Sequence, residues 1–359
     1  MINGSKPVIV KAPGLVAPDF TWETVTQMDF GFDASFLNNR LTGTFDWYRR
    51  NTKDMLVAGA TLPATLGASV PKSNSADMKT IGWELSLGWN DRLENGFSYW
   101  VKGVLSDYQA TITKYAGNDA GFYSQSDGDG KYYVGQKIGE IWGYHSNGLF
   151  QSDDEAATID QSELYAGKWG AGDVKYEDLD NDGKITKGEE TIYNPGDKSI
   201  IGNKTPRYQF GITVGFDYKN FDFEMFWQGT GKRDYMLSGA QFWGFTSQWD
   251  VPYTPALDYW TETNTDAYFP RPGWQNGGNR VISDRYLQSA AYGRLKNLTV
   301  GYTIPKNLTT KWGISRLRLY VTGENLLTIT PLNDAFDPET LGGMTSVSYT
   351  HLTLPTTPY

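Results

Sequence analysis

The sequence contains no cysteine and only two histidines among its 359 residues. Without cysteine there are no disulfides, no cysteine-based metal sites and no thiol nucleophiles. Because His145 and His351 lie far apart in the sequence, we expect neither a histidine-based catalytic triad nor a metal site with several histidines. No run of about 18 apolar residues occurs, so the sequence predicts no transmembrane helix.

Clusters of lysine and arginine are also lacking, and the net charge is −9. Binding to nucleic-acid phosphates requires clustered positive charge, so nucleic acid is not expected as a partner. The beginning of the chain lacks the basic and then apolar segments of a signal peptide, and it contains Pro7, Pro13 and Pro18. Two interpretations fit this beginning, a cytosolic protein or a piece of a longer protein whose front end is missing, and the strand pattern described next favours the second.

Aromatic residues and glycine are abundant, with 13 Trp, 23 Tyr, 17 Phe and 40 Gly. Strands favour aromatic residues and turns favour glycine, so this composition indicates a large antiparallel β protein. Apolar and polar residues also alternate: in 208–218, Phe210, Ile212 and Val214 fall on the face opposite Thr213. A repeat of two residues predicts a strand with one apolar face. The pattern predicts eight strands, at 26–37, 40–51, 78–90, 97–113, 206–218, 221–232, 291–304 and 316–328.

The connections between these strands alternate between short and long. Four pairs of strands are joined by short turns, whereas the long segments 52–77, 114–205 and 233–290 separate the pairs. The apolar stripes have the roughly 9–11 residues that a tilted strand needs to cross a bilayer. Outer-membrane barrels combine short periplasmic turns with long extracellular loops. The sequence therefore predicts an all-β fold: an antiparallel transmembrane β-barrel with about eight strands in this chain and long extracellular loops.

Aromatic residues gather beside the four short turns, at Phe36, Trp89, Phe97, Tyr99, Tyr218, Phe221 and Tyr302. In a barrel such residues form a girdle at the boundary between membrane and water. In a soluble sandwich the same side chains would form the core. The opposite face of the strands carries polar residues such as Asp46, Glu84 and Asp217, which would line a wet interior or contact a plug.

Five segments resemble, in the same order, the C-terminal half of the SusC/RagA family of TonB-dependent outer-membrane transporters. They are 18–56, 172–185 (GDVKYEDLDNDGKI), 205–216 (TPRYQFGITVGF), 292–305 (YGRLKNLTVGYTIP) and 317–327 (LRLYVTGENLL), with Asp-Pro-Glu following at 337–339. The resemblance implies a barrel of about 22 strands filled by an N-terminal plug. Residues 1–345 would then be the C-terminal part of such a barrel.

By the same resemblance, the function is TonB-dependent import of nutrients across the outer membrane of a Gram-negative, Bacteroidetes-like bacterium. The implied partners are a SusD-like surface lipoprotein, the TonB complex (through the missing N-terminal part), an oligosaccharide or peptide substrate, and outer-membrane lipid. We do not expect an enzyme. Two alternatives are a passive porin-like barrel and a soluble, secreted glycan-binding β-sandwich.

The last residues, 346–359 (SVSYTHLTLPTTPY), alternate poorly and contain Pro355 and Pro358. They resemble translated sequencing-adapter readthrough. We expect a non-native or disordered tail, the alternative being a genuine divergent one.

The acidic segment 178–189 matches the calcium-loop pattern D-x-[DN]-x-[DN]-G-x5-E at every specified position. Gly183 would permit the sharp turn, and Ile185 would anchor the loop inward. The predicted ligands of a structural Ca²⁺ are the carboxylates of Asp178, Asp180, Asp182 and Glu189 and the backbone carbonyl of Lys184. The sequence before this segment does not predict a helix, so we interpret it as an isolated calcium-type loop and not an EF-hand. A solvated acidic turn is the alternative.

The long segment 233–290 is rich in aromatic residues, whose faces stack on sugar rings. Weak candidates for substrate binding are Trp243, Trp249, Tyr253 and Trp260. The favoured interpretation is that these aromatic residues pack the loop on itself or on a partner. No spacing among the carboxylates of this segment singles out a catalytic pair.

Overall fold

A computed structural model describes residues 20–58, 71–123 and 132–341. In these ranges we number the strands in chain order as β1 Thr24–Phe36, β2 Leu41–Ala58, β3 Lys72–Arg92, β4 Ser98–Tyr115, β5 Glu140–Tyr144, β6 Ser146–Leu149, β7 Val174–Tyr176, β8 Lys198–Asn203, β9 Arg207–Tyr218, β10 Phe221–Lys232, β11 Asp234–Met236, β12 Leu287–Ser289, β13 Tyr292–Thr303 and β14 Arg318–Ile329. The helices are short: α1 Asp153–Ala156, α2 Ala240–Trp243, α3 Lys306–Thr309, and 3-10 turns at Thr254–Leu257, Gly277–Arg280, Asp284–Tyr286 and Thr310–Trp312. No helix in the described ranges has the length and apolar character needed to span a membrane.

The eight predicted strands are confirmed, and they form one antiparallel sheet. Its order is β1-β2-β3-β4-β9-β10-β13-β14, so every strand pairs with the next one of the set along the chain. The prediction that 52–77 is a loop is wrong at both ends, because β2 continues to Ala58 and β3 begins at Lys72. Residues 59–70 between them, and the tail 346–359, lie outside the described residues.

The register of the sheet places the apolar residues on a single face. Residues directly opposite each other on neighbouring strands point to the same side. One such row runs through five strands, from Phe32 to Phe45, Leu85, Leu105 and Phe210. Val214, Met225 and Leu298 extend the same surface across β10 to β13. Most apolar side chains of the wall therefore share one surface, which is what a barrel wall presents to lipid.

The opposite face has small residues where large rings cross it. Trp100 on β4 lies over Gly215 on β9, and a Cβ atom at Gly215 would overlap the indole. Tyr48 on β2 covers Gly82 on β3 in the same way. Glycine is needed at these positions because a ring and a second side chain cannot occupy the same space.

The sheet is an open wall. Within the described residues its edge strands, β1 and β14, do not pair with each other, as expected of an incomplete barrel. Trp83, Leu85, Phe210 and Val214 are half-buried, and no second sheet packs on them within the same ranges. The alternative of a soluble sandwich, in which these residues would fill a dry interior, is therefore wrong.

The main hydrophobic core lies in the long loops and not against the sheet. We call the described parts of 116–206, 233–291 and 330–341 the loop layer; it lies at the end of the sheet opposite the short turns. Three two-stranded sheets stiffen it, β5 with β8, β6 with β7 and β11 with β12, and the sequence patterns predicted none of them. The buried members of its core are Tyr144, Leu149, Val174, Tyr176, Ile185, Leu237, Phe242, Trp243, Ala256, Trp260, Ala267, Phe269, Tyr286, Ala290 and Leu332.

Candidate functional site

The acidic loop begins directly after β7 and is held by its own first aspartate. The carboxylate of Asp178 accepts hydrogen bonds from the backbone N–H groups of Asn181 at 2.6 Å and Gly183 at 2.7 Å. Gly183 has φ = 83°, the left-handed conformation that the motif requires of its sixth residue. Ile185 is fully buried in the core of the loop layer, which confirms the prediction that it anchors the loop.

The structure brings together a different set of carboxylates from the one that the motif predicts. Oxygen atoms of Asp178, Asp180 and Asp197 lie within 4.8 Å of one another. Within the described residues, Asp182 and Glu189 do not belong to this group, although the motif names them. Asp182 instead accepts the N–H of Lys184 at 2.8 Å.

Asp197 is the residue that sequence reasoning missed. It is fully buried, and its carboxylate accepts the N–H groups of Leu179 and Thr186, both at 2.7 Å. These two bonds fix it beside the loop from a position beyond the motif. The spacing of residues within 178–189 cannot predict Asp197, because the fold brings this residue to the loop from outside the motif.

The electrostatics of this cluster follow from its crowding. The pKa of Asp180 is raised, first by desolvation and then by the negative charges of Asp182, Asp197 and Asp178. For Asp178, desolvation is the largest single effect and raises the pKa, but the hydrogen bonds from Gly183 and its neighbours outweigh it and the net pKa is lowered. Carboxylate oxygens in this arrangement are the ligands that Ca²⁺ prefers. Calcium binding itself stays a prediction.

The four aromatic candidates of 233–290 fall into two classes. Trp243 and Trp260 are 9% and 8% exposed and belong to the core of the loop layer. The Trp243 ring lies 4.6 Å from that of Tyr286, edge to face. Stacking of a sugar on these two indoles is therefore not supported, and they pack the loop on itself. Trp249 and Tyr253 are 83% and 54% exposed, so their faces are open to a ligand or a partner.

A pocket opens beside Trp243 on the surface of the loop layer. Its residues include Phe245, Tyr259, Arg271 and Arg280. The Arg280 guanidinium donates to the backbone carbonyls of Phe245 at 3.2 Å and Trp274 at 3.1 Å, and desolvation lowers its pKa. The cavity has a volume of about 20 Å³, which leaves room for about one water molecule and does not enclose a sugar ring.

His145 joins three segments of the loop layer. Its Nδ1 lies 2.7 Å from the carboxylate of Asp284, and its Nε2 lies 2.7 Å from the hydroxyl of Ser199. One histidine thus contacts both a carboxylate and a hydroxyl, while the expectation that the chain has no histidine-based catalytic triad stays a prediction. The Asp284 side chain is 38% exposed and Ser199 lies within the regular strand β8, so we interpret the contacts as a structural tie.

The inner face of the sheet holds the segment that follows β14. Arg294 is 9% exposed in its side chain, and its guanidinium donates to Asp337 and Glu339, both at 2.7 Å. Lys296 adds a second bond to Glu339 at 2.9 Å. The Asp-Pro-Glu segment is thereby clamped onto β13, next to the irregularity between Leu295 and Asn297.

A comparison with protein families agrees with this architecture. Residues 7–326 match the family model described as TonB dependent receptor-like, beta-barrel. Among curated proteins, TonB-dependent receptor P3 of Formosa agariphila is 30% identical over 346 residues, which cover 91% of this chain and 32% of the relative. TonB-dependent receptor SusC of Bacteroides thetaiotaomicron is 26% identical over 332 residues, covering 91% of this chain and 31% of the relative.

Solved structures show the same fold. The structure of the RagAB peptide transporter superposes with a TM-score of 0.68 at 23% identity, covering 91% of this chain and 34% of the matched chain. The chain thus spans about a third of the length of the relatives that it matches. The similarity confirms the expected SusC/RagA resemblance and the barrel fold.

Proposed function

Because the chain belongs to the family of TonB-dependent receptor-like β-barrels, we propose that it forms wall and extracellular loops of an outer-membrane nutrient importer. The observation that carries this proposal is the unbroken apolar face of the eight-stranded sheet. Lipid is the medium that makes such a face favourable, since water would have to solvate it at large cost. The packed loop layer at one end then faces the outside of the cell.

The proposed location is the outer membrane of a Gram-negative bacterium of the Bacteroidetes type. The support is that the curated relatives come from Formosa agariphila and Bacteroides thetaiotaomicron and are named TonB-dependent receptors. The proposed partners are the TonB complex, which would supply energy, and a SusD-like surface lipoprotein above the loop layer. A passive porin-like barrel is the weaker candidate, because the family match is to TonB-dependent receptors.

The proposed substrates are oligosaccharides or peptides. The support comes from the surface of the long segment 233–290, where the side chain of Arg271 is 47% exposed. The exposed rings of Trp249 and Tyr253 lie in the same long segment. Aromatic faces contribute through apolar contact and stacking, which suits the faces of sugars and the side chains of peptides alike.

The test is an uptake assay in the organism that carries the gene. A deletion strain is complemented with the wild-type gene, and growth on single glycans or peptides as the only carbon source is measured with and without an intact tonB gene. We expect the protein in the outer-membrane fraction, and growth on at least one substrate that requires both genes. Recovery of the protein without detergent, or import that persists without TonB, would contradict the proposal.

A further inference from the structure

The connection between β13 and β14 differs from the other three short turns. Residues 304–317 form a helical turn, which contains α3 Lys306–Thr309 and the 3-10 turn Thr310–Trp312. Its base is closed by a hydrogen bond from the N–H of Ile304 to the carbonyl of Leu317 at 2.8 Å. It is a folded element at the end of the wall, and it has space for side chains that a two-residue turn does not offer.

The apolar side chains of the helical turn are exposed. Leu308, Trp312 and Ile314 are 42%, 59% and 37% exposed. The apolar face of the sheet reaches this same end in a cross-strand row formed by Tyr218, Phe221, Tyr302 and Leu319. The apolar surface thus continues from the wall into the turn, at the level where a membrane boundary is expected.

The charged side chains of the helical turn are all positive. Lys306, Lys311 and Arg316 are exposed, and within the described residues their side chains make no salt bridge or hydrogen bond. The sequence has no Asp or Glu between Gly301 and Gly323.

Two arginines at the same end of the sheet show the contrast. Arg318, on the adjacent strand, is paired with Asp222, and Arg40, on the first short turn, lies 3.3 Å from Asp91. The helical turn thus carries three exposed positive side chains outside any salt bridge of the described residues, although Arg316 also acts electrostatically on the Asp222 carboxylate. The short turn between β9 and β10 carries one such side chain, Lys219, which lies over the Tyr218 ring.

We propose that the helical turn is a binding site for anionic phospholipid at the periplasmic boundary of the membrane. Trp312 and Leu308 enter the region between headgroups and acyl chains, where amphipathic and apolar side chains are favoured. The ammonium groups of Lys306 and Lys311 and the guanidinium of Arg316 bind the lipid phosphates, and each positive charge close to an anionic leaflet adds to the affinity. The inference rests on the proposed outer-membrane location.

The experiment compares lipid binding by full-length proteins purified from the outer membrane in mild detergent. Native mass spectrometry follows titration with phosphatidylglycerol or with phosphatidylcholine. The test variant is K306Q/K311Q/R316Q, which keeps long side chains but removes three charges. The matched control is K114Q/K137Q/K187Q, because these three lysines are also exposed and outside any salt bridge of the described residues but lie in the loop layer or at the end of β4 beside it. A difference in gel mobility between heated and unheated samples shows that each variant is folded.

The wild type and the control should prefer phosphatidylglycerol, and the test variant should lose that preference by roughly fivefold for each charge removed. Trp312→Ala should weaken binding of both lipids equally. An unchanged preference in the test variant, or no preference in the wild type, would overturn the inference while the protein remains in the membrane fraction. Failure of the proposed function would look different, because the wild type would then be absent from the outer membrane and bind neither lipid.

Discussion

Val101 on β4 and Val214 on β9 lie directly opposite each other, although the long segment 116–206 separates their strands in the sequence. Val214 in turn faces Met225 on β10. The apolar row therefore passes the point where the largest part of the loop layer is inserted, and it does so without a break. The wall is accordingly organised by rows of apolar residues that cross its strands, whereas the loop layer is stabilised by its own buried core.

The same substitution should destabilise the protein to different extents on the two faces of one strand. Val214→Arg places a charge on the apolar face near the middle of β9, where arginine costs about 2–4 kcal/mol in a bilayer. Thr213→Arg, one residue earlier, places the same charge on the polar face, and we expect a change below about 1 kcal/mol there. The measurement is the free energy of unfolding in urea after insertion into lipid vesicles. Equal destabilisation by both variants would mean that the faces are not distinguished by lipid.

The acidic loop should depend on the residues that the structure brings together. If it binds a cation, Asp178→Asn and Asp197→Asn should abolish the luminescence of bound terbium, whereas Glu189→Gln should retain most of it. The reason is that Asp197 lies within the carboxylate cluster and Glu189 does not. Calcium competition on the purified protein provides the control for specificity. A loss with Glu189→Gln and not with Asp197→Asn would restore the ligand set predicted from the motif.

The pH dependence of the same loop has a defined direction. The pKa of Asp180 is raised and that of Asp178 is lowered, so protons reach Asp180 first as the pH falls. Cation affinity should therefore decrease on acidification before the backbone contacts of Asp178 are lost. Because the pKa of Asp178 is lowered in the folded loop, its carboxylate stabilises the fold at pH values above the ordinary aspartate pKa of about 3.9. This contribution disappears as the pH falls through the pKa of the folded state. Terbium titrations at stepped pH, with the Asp180→Asn variant as reference, measure this order; an affinity independent of pH would contradict it.

The attachment of the Asp-Pro-Glu segment to β13 should depend on the Arg294 guanidinium. Arg294→Gln leaves Asp337 and Glu339 without their main partner, and we expect a loss of about 1–3 kcal/mol, less than for a fully buried pair because both acids are partly exposed. Hydrogen exchange of residues 332–341 measures it. Lys168→Gln breaks a surface pair whose side chains are 80% and 54% exposed, so it should leave exchange rates unchanged. Similar rates in the wild type and Arg294→Gln would exclude a clamp.

The two classes of tryptophan predict a separation of stability from uptake. Trp243→Ala removes a buried ring from the core of the loop layer and should cost about 3–5 kcal/mol. Trp249→Ala removes an exposed ring and should change stability by less than about 0.5 kcal/mol. Limited proteolysis of the loop layer measures both changes in stability, and we expect substrate uptake to fall in Trp249→Ala although that protein stays folded. If Trp243→Ala resisted proteolysis as well as the wild type, the Trp243 ring would not stabilise the loop layer.

The wall was predictable from the sequence because its rule is local. Alternation over 208–218 specifies both the strand and its apolar face, and β9 follows it closely. The continuation of β2 to Ala58 and the start of β3 at Lys72 were not predictable, because neither end alternates: β2 ends in the apolar run 55–58, and β3 begins with the polar run 72–75.

The loop layer was not predictable because its contacts join distant segments. Asp197 reaches the acidic loop from outside the motif, and His145 meets Ser199 and Asp284 from three separate segments. Gly183 and Ile185 behave as the motif predicts, since a tight turn and an inward anchor are fixed within a few residues.

Which side of the sheet faces lipid can be measured directly, because the chain has no cysteine and accepts single spin labels without background. Labels placed in turn at residues 209, 210, 212, 213, 214, 216 and 217 in the vesicle-inserted protein report collision with oxygen, which is enriched in lipid, and with a water-soluble nickel complex. Gly211 and Gly215 are left unlabelled because side chains of the neighbouring strands lie over them. We predict that Phe210, Ile212, Val214 and Phe216 collide mainly with oxygen and that the odd-numbered positions Gln209, Thr213 and Asp217 do so less. Equal oxygen accessibility at all positions, or the opposite alternation, would contradict a wall whose apolar face meets the bilayer.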